Sequence, residues 1–243
     1  MCWFAVGSWL VVGGALFGVL SRFPLRWRRT SPHIARWARL GARCLGVRAR
    51  VHGEMPAPGS LVVANHVGYV DVVTIGGHAP CIFAARHDMR SWPLFGQLAR
   101  SGATIFINRD SRRAGARGIA QVTAALRIGA TVIGFPEGTS VGGADLLPFR
   151  TGLFQAAIDA HAPVIPAVIR YTTIDGVPVT RANLGKIGWF DGGPFFRHLL
   201  ALAGHRLVEA EVTFGEPILA PHADRRALAA AAEQAVRALL APY

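Results

Sequence analysis

The sequence predicts an α/β protein: a central, mostly parallel or mixed sheet flanked by helices, preceded by an N-terminal apolar membrane-anchoring helix and a basic amphipathic segment. Three observations carry that prediction. Short apolar runs alternate with helix-length segments from residue 45 onward, the pattern of strands joined by crossover helices in a sheet covered on both faces. Residues 1–20 hold no charged side chain. Between them and the first acidic residue, Glu54, every charged side chain is an arginine. A chain of 243 residues accommodates one such domain and a small appendage. The expected division is 1–44, anchor and basic segment, and 45–243, the body.

The elements follow in order. As a helix, residues 1–20 would reach about 30 Å, enough for a hydrocarbon core. A cleaved signal is disfavoured, because no basic region precedes the run and no small-x-small site closes it. Arg22, Arg26, Arg28, Arg29, Arg36, Arg39, Arg43, Arg48 and Arg50 come next, with Trp27 and Trp37 among them as interfacial aromatics. This bias places the body on the cytoplasmic side of the inner membrane, where each arginine near anionic lipid contributes about 1 kcal/mol. Val47 to His52 is a short strand, Met55 to Gly59 a turn and Leu61 to Ala64 a buried strand. A helix begins at Asp71, and Cys81 to Ala84 is a strand. Pro93 starts a helix within Ser91 to Leu98. Thr104 to Ile107 is a β-branched strand, and Ala116 to Ile128 a helix stopped by Gly129. Thr131 to Phe135, Val164 to Ile169 and Leu207 to Phe214 are strands, the last alternating with Val208, Ala210, Val212 and Phe214 on one face. Thr151 to Ala160 is helical, and Asp224 caps a last helix to Leu240.

Composition narrows the function. The chain is 51% hydrophobic with a net charge of +12, nearly all from arginine; Lys186 is the only lysine. Such charge raises nucleic acid as a partner. The excess sits beside an apolar anchor and no nucleic-acid-binding motif appears, so the charge is assigned to membrane lipids and no nucleic acid is expected. Cys2, Cys44 and Cys81 show no paired or zinc-type spacing. They are read as reduced, buried small side chains in a cytoplasmic setting, and no metal is expected.

Three strand ends carry polar groups: Asn65-His66 followed by Asp71, then Asn108-Arg109, then Glu137-Gly138-Thr139. Strand ends of one sheet can converge on one site. A histidine with a nearby carboxylate is the minimum kit for a general base. The imidazole takes a proton, and the carboxylate fixes the tautomer and stabilises the cation. Such a base must be neutral to act, so activity should fall in acid. Alone, each block has a bland reading. A His-x4-Asp pair is a frequent coincidence, Arg109 a surface arginine, and Glu137-Gly138-Thr139 a tight turn with a cap. His161, His198, His205 and His222 are read as structural or solvent-facing.

Four blocks stand in order: Asn65-His66-Val67-Gly68-Tyr69-Val70-Asp71, Phe106-Ile107-Asn108-Arg109, Phe135-Pro136-Glu137-Gly138-Thr139 and Val164-Ile165-Pro166. In them the chain resembles the glycerolipid acyltransferase family, the enzymes that esterify lysophospholipids. The stretches Trp92-Pro93-Leu94-Phe95-Gly96, Leu147-Pro148-Phe149-Arg150-Thr151-Gly152 and Phe214-Gly215-Glu216-Pro217 look like the same family's punctuation, and the resemblance spans residues 45–220. Two positions depart from the family pattern. Gly68 stands where the family has Ser, and Ser140 stands where phosphatidate-forming members often place Arg. The Gly-Thr-Ser version is similar to members that acylate lyso-ornithine lipid.

The resemblance implies a membrane-bound O-acyltransferase. It would move an acyl chain from a thioester donor, acyl-CoA or acyl-carrier-protein, to the free hydroxyl of a lysolipid acceptor in phospholipid biosynthesis. The leading acceptor is 1-acylglycerol-3-phosphate, with lyso-ornithine lipid as the alternative. No bound cofactor is implied; the donor is a co-substrate. His66 would be the base and Asp71 its partner. Asn65, Arg109, Glu137, Gly138, Thr139 and Arg150 would bind substrate, Arg109 as a fork for phosphate or carboxylate. Backbone amides near Gly138 or Gly68 are candidates for an oxyanion. No acyl-enzyme is required, since no Ser or Cys is evidently paired with His66. Two readings compete: a non-catalytic lipid-binding protein on the same fold, which the His66–Asp71 pair weighs against, and a soluble hydrolase, which would need a serine on a Gly-x-Ser-x-Gly elbow and is set aside on the expectation that the chain has none.

Overall fold

The computed structural model describes residues 27–92, 96, 99–100, 102–142, 146–190, 192–219 and 224–240, which form one eight-stranded sheet with helices on both faces. In chain order the elements are α1 (Trp27–Cys44), β1 (Val47–His52), β2 (Leu61–Ala64), α2 (Val70–Gly76), β3 (Ile82–Arg86), β4 (Ile105–Ile107), α3 (Arg112–Arg127), β5 (Val132–Gly134), α4 (Gly152–Ala160), β6 (Val164–Ile174), β7 (Val177–Pro178), α5 (Phe195–Ala203), β8 (Val208–Phe214) and α6 (Arg225–Leu239). Two short 3-10 turns, His87–Ser91 and Leu184–Lys186, lie between them. The strands run β1-β8-β6-β2-β5-β3-β4 across the sheet, and β7 pairs with β6. From β6 to β4 all neighbours are parallel. β8 is antiparallel to β6, and β1 is parallel to β8, so the sheet is mixed.

The pleat explains the two layers. All four residues of β2 are buried; Val62 and Ala64 point into one core, Leu61 and Val63 into the other. The first core is closed by α1, α2 and α5 through Ile34, Val73, Ile75, Leu199 and Leu202. The second is closed by α3, α4 and α6 through Val122, Leu126, Phe154, Ala232 and Val236. β8 alternates as expected, with Val208, Ala210, Val212 and Phe214 buried.

Several boundaries differ from expectation. β6 continues past Ile169 to Ile174, because β8 pairs with it along the added residues. α3 starts at Arg112, where the Ser111 hydroxyl accepts from the Ala114 N–H at 3.3 Å. Asp224 does cap α6, accepting from the Arg226 N–H at 2.8 Å. Most of the helix expected over Ser91–Leu98 lies outside the described residues, as does the apolar run 1–20. Among the described residues no helix is long and apolar enough to cross a membrane. The expected boundary at residue 44 falls at the end of α1, yet α1 packs into the first core. Ile34, Ala35 and Ala38 are buried, while Arg36, Arg39 and Arg43 face outward. Cys81 is buried, which pushes its thiol up to about 12, and Cys44 is half-buried.

Candidate active site

β2 delivers Asn65 and His66 to the carboxyl edge of the sheet, β5 delivers Phe135 to Gly138, β3 ends at Arg86, and β4 leads to Arg109. These strands are neighbours in the order β2-β5-β3-β4, so their ends form one rim. His66 Nδ1 lies 2.8 Å from Asp71 Oδ2. The same oxygen accepts from the N–H groups of Val67 at 2.7 Å and Gly68 at 3.1 Å. The Tyr171 hydroxyl donates to the other oxygen at 2.8 Å. A carboxylate only accepts, as it does from the other three partners, so the His66 hydrogen is assigned to Nδ1 and the lone pair to Nε2. Asp71 is fully buried while the His66 side chain stays 21% exposed. The His66 ring stacks on Phe135, centroids 4.1 Å apart at 16°.

Glu137 is buried and ties two loops. Its oxygens accept from the N–H groups of His66 and Leu147, each at 2.9 Å. Burial raises the pKa of its carboxyl, with the amides of Leu147 and His66 pulling the other way. Asn65 requires a correction. Expected to bind substrate, it donates to Ile169 O at 3.0 Å and accepts from the Ile169 N–H at 2.8 Å. Both ends of its buried amide are occupied, which makes it the joint between the β2 end and β6.

Arg109 and Arg150 converge on Gly138. Arg109 Nη1 donates to Gly138 O at 3.1 Å. A β-carbon on Gly138 would collide with both guanidinium groups, and its φ of +82° is one that side-chain-bearing residues rarely adopt. Partial desolvation, then the charges of Arg150 and Arg86, hold the Arg109 pKa below its ordinary value. Arg86 is closed on Asp88 at 2.6 Å. Arg86, Arg109 and Arg150 thus gather like charge on an exposed rim. Thr139 is exposed there, its hydroxyl making only a long 3.5 Å contact with Ser140 O.

Two further expectations change. Of the amides near Gly68 and Gly138 expected to serve an oxyanion, those of the two glycines themselves are engaged, Gly68 N–H with Asp71 and Gly138 N–H with Phe135 O at 3.1 Å. And Gly138-Thr139-Ser140-Val141-Gly142 does spell Gly-x-Ser-x-Gly, so the hydrolase alternative has its letters after all. Its geometry is missing. A nucleophile elbow passes from strand directly into helix, and among the described residues the first helix after β5 is α4 at Gly152. The Ser140 hydroxyl donates to Trp189 O at 2.8 Å rather than meeting His66.

The Acyltransferase family model matches residues 48–170, half of the chain. The chain belongs to the acyltransferase family. The lyso-ornithine lipid O-acyltransferase of Rhizobium meliloti (strain 1021) is 35% identical to this acyltransferase over 225 residues, 89% of this chain and 76% of that one. The 1-acyl-sn-glycerol-3-phosphate acyltransferase of Neisseria gonorrhoeae is 38% identical over 137 residues, 55% of this chain and 54% of that one. The crystal structure of the 1-acyl-sn-glycerophosphate acyltransferase of Thermotoga maritima matches with a TM-score of 0.70 at 19% identity, over 98% of this chain and 91% of that one, which shows a shared fold.

The acyltransferase holds its histidine with groups that sequence reasoning missed. Tyr171 reaches Asp71 from 100 residues downstream. Its only signal is a polar tip at an inward position of an apolar strand. Phe135, under the His66 ring, lay inside a quoted block without a role. His198 is structural, as expected, placed 2.9 Å from the Tyr69 hydroxyl. His161 is exposed and ends α4 in a left-handed conformation, and His205 pairs with Asp175 at 2.9 Å. Among the described residues no group of three or more His, Cys, Asp or Glu side chains is arranged to hold a metal ion.

Proposed function

We propose that the chain is a membrane-bound O-acyltransferase that esterifies the hydroxyl of a lysolipid with an acyl group from a thioester, acyl-CoA or acyl-carrier-protein. The carrying observation is the His66–Asp71 pair, with its Nε2 lone pair at the rim where Arg109 and Arg150 gather. His66 removes the proton from the acceptor hydroxyl as that oxygen attacks the thioester carbonyl. Asp71 keeps its bond to Nδ1–H and stabilises the imidazolium. The tetrahedral intermediate then collapses, the C–S bond breaks, and the leaving thiolate takes the proton back from His66. Base assistance of this kind contributes about 10² to 10⁴-fold. Arg109, Arg150 and Thr139 hold the polar end of the acceptor. Glu137 and Gly138 shape the loop that brings them there.

The favoured acceptor is a lyso-ornithine lipid, which reverses the order expected from sequence. Ser140 supplies no cation where phosphatidate-forming members often have one. Similarity to the Rhizobium meliloti enzyme covers 89% of the chain, against 55% for the Neisseria gonorrhoeae enzyme. The second reading, 1-acylglycerol-3-phosphate, is supported by the Arg109–Arg150 pair, which suits a phosphate as well as a carboxylate. Residues 1–44 form the membrane-attaching part and 45–243 the acyl-transferring body, on the cytoplasmic face of the inner membrane. The outward arginines of α1 support this. The test is labelled acyl transfer by membranes containing the full chain, with each donor and each acceptor. Labelled ornithine lipid that disappears in His66→Ala is the expected result. Transfer to 1-acylglycerol-3-phosphate alone restores the original acceptor order, and no transfer to any lysolipid refutes the reading.

A further inference from the structure

Gly68 and Ser140, the two departures from the family pattern, meet the same residue. The Trp189 N–H donates to Val67 O at 2.9 Å, and Trp189 O accepts from the Ser140 hydroxyl at 2.8 Å. The Val141 N–H donates to His66 O at 2.9 Å. The strap Gly188-Trp189-Phe190 is therefore bonded to the loop after β2 on one side and to the loop after β5 on the other. Three glycines admit it. A β-carbon on Gly68 would stand 2.7 Å from Trp189 N, and one on Gly188 would stand 2.9 Å from Val67 O. One on Gly142 would collide with the Phe190 ring. A side chain at position 68 must displace the strap.

The indole of Trp189 is fixed as well. Its Nε1 donates to Gly193 O at 3.0 Å. It stands edge-on to Trp92, centroids 5.3 Å apart, and to Phe195, 5.5 Å apart. Phe195 meets Tyr69 at 4.8 Å. Trp92 follows the turn that leaves β3, and Tyr69 lies in the loop that leaves β2. β5 runs between those two strands. The aromatic chain Trp92–Trp189–Phe195–Tyr69 thus runs from the turn after β3 to the loop after β2, where Trp189 is bonded to Val67 next to His66, and contributes no charge.

We propose that Trp189 is the acceptor-specificity residue, an uncharged wall beside His66 that favours a hydroxyl borne on an alkyl chain over a hydroxyl one carbon away from a phosphate ester. The inference rests on the reading of the chain as a lysolipid O-acyltransferase with His66 as its base. In 1-acylglycerol-3-phosphate the reacting hydroxyl neighbours the carbon that carries the phosphate, so the anion enters with it. Against an aromatic wall that anion loses water, and the wall itself offers it no partner. Position 140 cannot supply one, because its hydroxyl holds the strap. In a lyso-ornithine lipid the reacting hydroxyl sits on the fatty chain itself, and the carboxylate lies further off, toward Arg109 and Arg150. Apolar surface beside the base suits that alkyl chain and penalises the competitor, which is how discrimination is built.

The experiment compares the full-length wild type with Trp189→Ala, Gly68→Ser and Trp189→Phe in membranes, using one acyl-CoA and both acceptors. The readout is the ratio of kcat/KM for lyso-ornithine lipid over 1-acylglycerol-3-phosphate. Trp189→Ala and Gly68→Ser should each lower that ratio by about tenfold or more, through the acceptor KM, with the donor KM unchanged. Trp189→Phe should keep most of it. An unaltered ratio in variants that still transfer overturns the inference alone, as does a wild type that prefers the phosphate acceptor. A uniform loss of kcat on both acceptors assigns Trp189 a merely structural role and also overturns it. Should Trp189→Ala fail to accumulate, Gly68→Ser decides. A wild type that acylates neither acceptor overturns the parent function and this inference together.

Discussion

Replacing Asp71 by Asn keeps the shape of the side chain and removes its charge. Four donors converge on the two carboxylate oxygens at 2.7, 2.8, 2.8 and 3.1 Å. Asparagine can turn its one oxygen toward the loop and still receive Val67, Gly68 and His66. Its NH2 then faces Tyr171, whose hydroxyl has Thr74 Oγ1 as another partner at 3.1 Å. The turn therefore survives, and the loss is electrostatic. A hydrogen bond to a charged partner contributes about 1.5–3 kcal/mol, against about 1 kcal/mol for a neutral one. The bond to His66 becomes ion-to-ion only when the imidazole has taken its proton, so the deficit falls on the transition state. The difference, up to about 2 kcal/mol, corresponds to as much as roughly 30-fold in kcat. Asp71 is fully buried and away from solvent, so the acceptor KM should hold. The assay is initial-rate acyl transfer at saturating lysolipid for Asp71→Asn, His66→Ala and the double variant. His66→Ala should lose about 10² to 10⁴-fold, and the double variant should be little worse, because Asp71 acts only through His66. The reasoning fails if Asp71→Asn stays within about threefold of wild type. It also fails if the double variant shows the full product of the two losses.

Other consequences follow from the same geometry. Arg109→Ala should raise the acceptor KM by about 5- to 10-fold with little change in kcat, and Arg109→Lys should rescue little, since a point charge does not reproduce a fork; unchanged acceptor kinetics would remove Arg109 from the site. Burial raises the Glu137 pKa in the folded state, so folding disfavours its ionised form. Its contribution is therefore fullest below the unfolded carboxylate pKa and declines as the pH rises through the raised one. Thermal melts should accordingly show the wild type losing stability relative to Glu137→Gln as the pH rises, and the opposite trend would contradict the assignment. Deleting residues 1–20 should convert salt-resistant membrane attachment into a weaker, salt-sensitive one, because what remains is arginine attraction screened over about 10 Å at 0.1 M salt. Recovery of the intact chain in the soluble fraction would count against the anchor.

Local pattern made some of this legible. Val47–His52, where Val47, Ala49 and Val51 alternate with polar residues, and the apolar run Leu61–Ala64 form strands over the residues expected. The alternation of β8 showed which face it buries. It could not show direction, because alternation reads the same both ways, so the antiparallel seam between β6 and β8 and the extension of β6 to Ile174 were hidden. With them went Tyr171, whose partner lies far off in sequence. Asn65 was misread for a related reason: a polar residue at a strand end looks like a ligand group until the neighbouring strand supplies Ile169. The strap was invisible because its meaning lies in glycines that approach another segment: Gly68 and Gly188 its backbone, Gly142 the Phe190 ring.

Burial separates two kinds of polar residue at this rim. Asn65, Asp71 and Glu137 are buried, and each engages backbone groups: Asn65 those of Ile169 in β6, Asp71 those of Val67 and Gly68 in the loop after β2, and Glu137 those of His66 and Leu147. His66 keeps a partly exposed ring, and Arg109, Thr139 and Arg150 are exposed. A buried acceptor fixed on peptide N–H groups cannot reach a substrate without releasing a loop, so these three act by setting where the exposed groups stand. The exposed groups owe the loop little beyond the Arg109 bond to Gly138 O, and remain available for contact. Variants of the first kind should therefore change kcat and stability together, since both depend on the same loop positions. Variants of the second kind should separate the two, with Arg109 and Arg150 moving the acceptor KM and His66 moving kcat in a protein that still folds.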